Sequence, residues 1–188
     1  MGNRKNIAVL SLQGDFLEHK EYFSPWANVF LARQKDELSK ADAIILPGGE
    51  STSIGKMLRF QGLEEVIIKK VKQGVPILGT CAGAIILGRG GEYSLGLIDI
   101  TVERNAYGRQ INSFEVALDI PVLGKEKFSC VFIRAPRFIS TGKDVEVLAS
   151  HKRTPVFVRK DNIVCLSFHP ELSDDRFAEW FVSCVLHS

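Results

Sequence analysis

GVPILGTCAGAIILG, residues 74–88, puts a cysteine at the point where strand chemistry gives way to helix chemistry. Val75-Pro76-Ile77-Leu78 is a short apolar run behind a glycine, the pattern of a buried strand. The apolar run after Gly83 reads as a helix. Between them, Gly79-Thr80-Cys81-Ala82-Gly83 has the G-x-nucleophile-x-G form of a strand–turn–helix elbow, with Cys in the Ser position. So tight a turn excludes bulk two residues either side of the nucleophile, which accounts for both glycines. It pushes the sulfur out at the top of the sheet, at a helix N-terminus where free N–H groups and the helix dipole favour a thiolate. The Ala82 N–H is then a donor for an oxyanion. A buried structural cysteine flanked by packing glycines fits the pentapeptide equally well, so a partner base has to decide.

Outward from the elbow, strand and helix alternate. Ile7 to Leu12 is a nearly continuous apolar run, as expected of a strand covered on both faces. A helix opens near Asp15 and carries Phe16, Leu17 and His19. Ala27–Ala32 and Ala41–Leu46 are further strands, and Leu63, Val66, Ile67 and Val71 repeat at helical spacing until Gly74. The second half holds short strands at 98–102, 114–118, 128–133, 145–149 and 155–158. An Asp161-Asn162 hairpin turn leads into Ile163–Phe168. A last helix starts near Ser173, with Phe177, Trp180, Phe181, Cys184 and Val185 as its stripe and Asp174 and Asp175 at its start. The pattern predicts an α/β fold: a single domain over residues 1–188, with a mixed, mostly parallel central sheet and helices on both faces.

Of the four histidines, His169 in Ser167-Phe168-His169-Pro170-Glu171 follows an apolar strand, as Cys81 does, and parallel strands deliver functional groups from their carboxyl ends. Pro170 fixes the backbone so that Glu171 can engage one ring nitrogen while the other faces Cys81, giving nucleophile, base and orienter. His151 reads as solvated in a polar turn, His19 as a surface or helix-packing residue, and His187 lies next to the C-terminus. A third strand ends in Pro47-Gly48-Gly49-Glu50-Ser51. Its glycines let backbone N–H groups approach a ligand, with Gly48 beside Ala82 as an oxyanion donor, and Ser51 to Ser53 offer helix-capping hydroxyls.

Composition excludes several function classes. Lys plus Arg is 24 against 22 for Asp plus Glu, so the formal net charge of +2 gives no electrostatic reason to expect nucleic acid or a membrane surface. No segment reaches the roughly 20 apolar residues of a membrane-spanning helix. Four dispersed cysteines without a C-x-x-C pair predict free thiols in the cytoplasm, and no ligand spacing predicts a metal site.

In chain order, PGGES, GTCAG and SFHPEL resemble the class I, triad-type glutamine amidotransferases. With LSLQGDFLEH (10–19), LPGGESTSIGKML (46–58), VERNAYGRQINSFE (102–115) and VFIRAP (131–136), the chain is similar from residue 7 to 172 to the glutaminase subunits of pyridoxal 5′-phosphate synthases. The resemblance implies a flavodoxin-like fold and hydrolysis of L-glutamine to L-glutamate and ammonia. It implies no cofactor, and ammonia passing to a synthase (lyase) subunit as protein partner. Carried over by position, Cys81 is the nucleophile, His169 the acid and base, and Glu171 its orienter. Gly49, Glu50, Ser51, Arg104, Ile133 and Arg134 are implied to bind glutamine. From the residues alone, either arginine reads as a surface residue.

Three rivals remain: another glutaminase subunit, such as that of imidazole glycerol phosphate synthase, a silent docking domain, and a cysteine hydrolase. The first shares the triad but not VERN and FIRAP, the second has no need of an intact triad, and the third has no use for paired arginines. One stretch departs from the family pattern: Ser24-Pro25-Trp26 stands where a turn glycine is usual.

Overall fold

The apolar runs around the cysteine turn lie side by side in one sheet. The computed structural model describes residues 4–104 and 113–185. In it β1 (Asn6–Leu10) pairs in parallel with β2 (Asn28–Ala32) and β3 (Ala43–Leu46), and β3 pairs with β4 (Ile77–Thr80). Their connections carry α1 (Phe16–Phe23), α2 (Lys35–Ser39), α3 (Ser51–Phe60) and α4 (Leu63–Lys72), and α5 (Ala82–Leu87) leaves β4. The second half adds β5 (Ile100–Glu103), β6 (Ser113–Leu118), β7 (Phe128–Ile133), β8 (Arg137–Thr141), β9 (Glu146–His151), β10 (Thr154–Lys160), β11 (Ile163–Leu166) and α6 (Arg176–Trp180). The central sheet runs β2-β1-β3-β4-β11-β10-β9, with β11 parallel to β4 and the last two strands antiparallel. β5 with β8 and β6 with β7 are separate antiparallel pairs. This is the mostly parallel α/β sheet expected.

Period-two alternation divides the sheet into two cores. Ile7 and Val9 of β1 point to a face shared with Phe23, Phe128, Phe132, Phe157, Phe168, Phe177 and Phe181, while Ala8 and Leu10 face Leu38, Ile54, Leu58, Leu63 and Ile67. Both faces are covered, which is why β1 and β3 read as continuous apolar runs. On the aromatic face Phe157 meets Trp180 edge-on at 5.2 Å and Phe23 meets Phe181 at 5.8 Å, the edge-to-face geometry that ring quadrupoles favour.

Two elements escaped the sequence reading. α2 is only five residues long and is held by a capping box, in which Glu37 accepts from the Gln34 N–H at 2.9 Å. β8 buries only Phe138. Neither shows an apolar period, since α2 likewise buries only Leu38. The final helix begins at Arg176 rather than Ser173 and continues as a π-type turn over Phe181–Val185. The side chains of Cys184 and Val185, and His187, lie outside the described residues. Ser24-Pro25-Trp26 closes without a glycine because Ser24 stays in the right-handed region, and Trp26 and Ala27 both donate to the Phe23 carbonyl. No helix among the described residues is long and apolar enough to cross a membrane.

Candidate active site

β1, β3, β4 and β11 are neighbours in the sheet and parallel, so the segments that leave their carboxyl ends converge at one edge. β4 delivers Cys81. Its φ of +48° is a left-handed conformation, a strain of about 1–3 kcal/mol for a residue with a Cβ. The surroundings over-determine it. The Cys81 N–H donates to the Leu166 carbonyl at 2.9 Å, and Gly83 brings α5 so close to β3 that a Cβ there would lie 2.0 Å from the Leu46 oxygen. The sulfur, in a residue only 6% exposed, lies 3.9 Å from the Ile133 carbonyl. Ala82 opens α5 and has no carbonyl within that helix to receive its N–H.

β11 delivers His169, whose N–H is tied to Val131 of β7 at 2.8 Å. Pro170 opens a 3-10 turn that brings Glu171 back, with Oε1 2.7 Å from His169 Nδ1. A second carboxylate reaches the same nitrogen: Asp15 Oδ2 lies at 2.9 Å. Carboxylate oxygens only accept, so Nδ1 carries the hydrogen and Nε2, without a hydrogen-bond partner, is the ring atom left for Cys81. Burial works to lower the His169 pKa, but the Asp15 and Glu171 carboxylates on Nδ1 and the neighbouring Cys81 prevail and hold it well above its ordinary value. Burial works to raise that of Asp15, yet His169 and His19 hold it far below the usual carboxylate range.

Asp15 and His19 are what the sequence reading missed. His19 was expected at a surface or in helix packing, but it is fully buried directly beneath the triad. The only signal was their place in the QGDFLEH block, read there as the opening of a helix. Asp15, His169 and Glu171 also bring donor atoms within 4.8 Å of one another, a grouping that spacing in the sequence conceals. The shared Nδ1–H occupies it here. His151 also departs from expectation: it is half-buried, with its ring 5.6 Å from Phe114 and 6.1 Å from Phe132.

β3 delivers the glycine loop, and the segment after β1 lies across it. The Asp15 N–H donates to the Gly48 carbonyl at 3.4 Å. Gln13 Oε1 accepts the Glu50 N–H at 2.7 Å. Gly14 is packed so closely that a Cβ would fall 1.9 Å from the Gly48 oxygen. The cap of α3 is the Glu50 carboxylate rather than a serine or threonine hydroxyl: it accepts from the N–H groups of Thr52 at 3.1 Å and Ser53 at 2.7 Å. The Ser53 hydroxyl is the main cause that brings the Glu50 pKa down to about 2. Arg104 donates to Glu50 Oε1 at 3.1 Å.

These segments enclose a cleft of about 550 Å³. Cys81, His169, Glu171, Gly49, Glu50, Ser51, Arg104, Ile133 and Arg134 all line it, with Gln13, Asp15, Glu18, Ile85 and Leu172 added. Of the expected residues only Gly48 and Ala82 do not. Gly48 still abuts the base, since a Cβ there would come within 2.7 Å of His169 Cε1. Asn105–Asn112 of the VERNAYGRQINSFE block lie outside the described residues.

Residues 9–187 match the model of the SNO glutamine amidotransferase family. The chain belongs to that family. It is 44% identical over 185 residues to the pyridoxal 5′-phosphate synthase subunit PdxT of Thermotoga sp. (strain RQ2), covering 95% of this chain and 98% of that one. It is 46% identical to the protein of the same name from Pelotomaculum thermopropionicum, covering 95% of both. A crystal structure of a glutamine amidotransferase superposes with a TM-score of 0.90 at 44% identity, over 97% of this chain and 99% of that one. The fold alone is shared with the structure of PurLQS from Thermotoga maritima, at a TM-score of 0.72, 17% identity and coverage of 95% and 96%. Family membership removes the rival of an unrelated cysteine hydrolase, and the geometry supplies the residues on which the chemistry can act.

Proposed function

We propose that the whole chain, as one cytoplasmic amidotransferase domain, hydrolyses L-glutamine to L-glutamate and ammonia. It passes the ammonia to a pyridoxal 5′-phosphate synthase subunit. The observation that carries the site assignment is a strained, cleft-facing Cys81 beside an imidazole whose far nitrogen is clamped by carboxylates. His169 Nε2 takes the Cys81 proton, and the sulfur adds to the side-chain amide carbon of glutamine. The N–H groups of Ala82 and Gly48 hold the oxyanion. Collapse breaks the carbon–nitrogen bond as His169 returns its proton to the departing ammonia, leaving a thioester. His169 then draws a proton from water, whose oxygen adds to the thioester carbon. Glutamate leaves and the thiol is restored. Arg104 and Arg134 receive the α-carboxylate of the substrate, while Gly49, Glu50, Ser51 and Ile133 shape its seat. Pyridoxal phosphate is then the product of the assembly, and the chain itself uses neither cofactor nor metal.

Glutamate release from L-glutamine tests this, for wild type and Cys81→Ala, each with and without the synthase subunit. Release that requires Cys81 and rises with the subunit is expected. Equal release without the subunit removes the assembly from the proposal, and no release under either condition removes the enzyme.

A further inference from the structure

His19 lies on α1, a different element from any triad residue, and its side chain is completely buried. Its Nδ1 is 2.9 Å from the carbonyl oxygen of Asp15, one turn earlier. A carbonyl only accepts, so Nδ1 carries a hydrogen and the ring is fixed against its own helix. Nε2 is thereby aimed away from α1 at two groups. Thr80 Oγ1 lies at 2.9 Å and Glu171 Oε2 at 3.3 Å.

Each target is next to the chemistry. Thr80 immediately precedes Cys81. Glu171 uses Oε1 on His169, and its Oε2 is buried with no hydrogen bond of its own. Asp15 competes for the same His169 nitrogen from the other side, and two carboxylates so close repel. A hold on its second oxygen would keep Glu171 in line against that repulsion. We propose that His19 is a positioning residue of the reaction: through Nε2 it pins Glu171 Oε2 and ties it to Thr80, so that carboxylate, base and nucleophile elbow keep one geometry. Oε2 accepts only and Nδ1 already carries a hydrogen, so the contact holds Glu171 in the imidazolium form of His19, whose Nε2–H is shared between Glu171 Oε2 and the Thr80 hydroxyl oxygen. The inference rests on the glutaminase reading for its catalytic readout.

Two substitutions separate the two ring nitrogens. In His19→Asn the amide replaces Nδ1 and reaches only the Asp15 carbonyl. In His19→Gln it replaces Nε2 and reaches Thr80 and Glu171. With the full chain and the synthase subunit, His19→Asn is expected to lower kcat by about 10–100-fold, the scale for losing a partner behind a functional ligand. KM should stay within about twofold, since no substrate contact is removed. His19→Gln should recover most of the loss, and Thr80→Val should fall between them. The alkylation rate of Cys81 by iodoacetamide, read on the Cys81 peptide by mass spectrometry, should follow the same order without any substrate. Wild-type kcat and alkylation rate in His19→Asn overturn the proposal. So does a folded His19→Gln no better than His19→Asn, with thermal melts as the folding check. Should His19→Asn not fold, Thr80→Val with wild-type values overturns it. If the wild type releases no glutamate, the glutaminase reading fails, while the alkylation order still decides the role of His19.

Discussion

Two carboxylates on one imidazole nitrogen give the site its electrostatic character. Asp15 and Glu171 both accept from His169 Nδ1 at hydrogen-bond distance, so the proton that His169 takes from Cys81 is strongly held until a departing nitrogen claims it. The same contact has a stability signature. Asp15 is depressed from an ordinary 3.8, so its contribution is present above that value and lost as the pH falls through the depressed one. His169 is raised from an ordinary 6.5, so its contribution is full below that value and lost as the pH rises through the raised one. The pair therefore stabilises most between pH 3.8 and 6.5. Asp15→Asn should cost about 1–2 kcal/mol in that window, the worth of a charge-assisted hydrogen bond less the relief of burying one charge fewer. Melting curves of both proteins from about pH 2 to about pH 7 check this: the gap in Tm should shrink as the pH falls below the ordinary 3.8 of Asp15, and a gap that stays constant there refutes the pair. Arg104 raises a separate point, since it is already paired with Glu50 and a substrate carboxylate has to draw it away.

Among the elements, the elbow depends on how closely α5 approaches the sheet. Gly83 permits that approach, because a side chain there would drive into the backbone oxygen of Leu46. Gly83→Ala should therefore destabilise by about 1–3 kcal/mol as an overpacked contact. It should also lower glutaminase activity by displacing Ala82 and Cys81, which share the turn. Urea denaturation alongside the glutamate assay measures both, and an unchanged midpoint would show that α5 can shift freely. Legibility in the sequence follows how much of an element is buried. β1, β3 and α4 declared themselves through unbroken or periodic apolar residues. The elbow strand β4 proved to run two residues later than its apolar residues imply, ending at Thr80, because Gly79 and Thr80 are buried without being apolar. α2 and β8 offered no period at all.

The whole molecule is organised by a seven-stranded sheet with an aromatic core on one face and an aliphatic core on the other. The site sits on the edge common to both, where four adjacent parallel strands end. Because the same strands floor both cores, neither can lose its sheet alone. Unfolding should be one cooperative transition, because opening the shared sheet removes both cores at once. Trp26 and Trp180 both report from the aromatic face, whereas far-ultraviolet circular dichroism reports from every helix and strand. Coincident denaturation midpoints from the two probes are expected, and separated midpoints would mean that the two faces unfold independently.

The α/β alternation, the elbow around Cys81, the pairing of His169 with Glu171 across a proline, and the glycine loop are all legible along the chain. Each of these is written in residues that are neighbours along the chain, where spacing and backbone restriction carry the information. The contacts of Asp15 with His169 and of His19 with Thr80 come from folding instead. Asp15 meets a histidine 154 positions away and His19 meets a threonine 61 positions away. No local pattern encodes such contacts. They follow from the order of strands in the sheet, which sets the carboxyl end of β1 beside those of β3, β4 and β11.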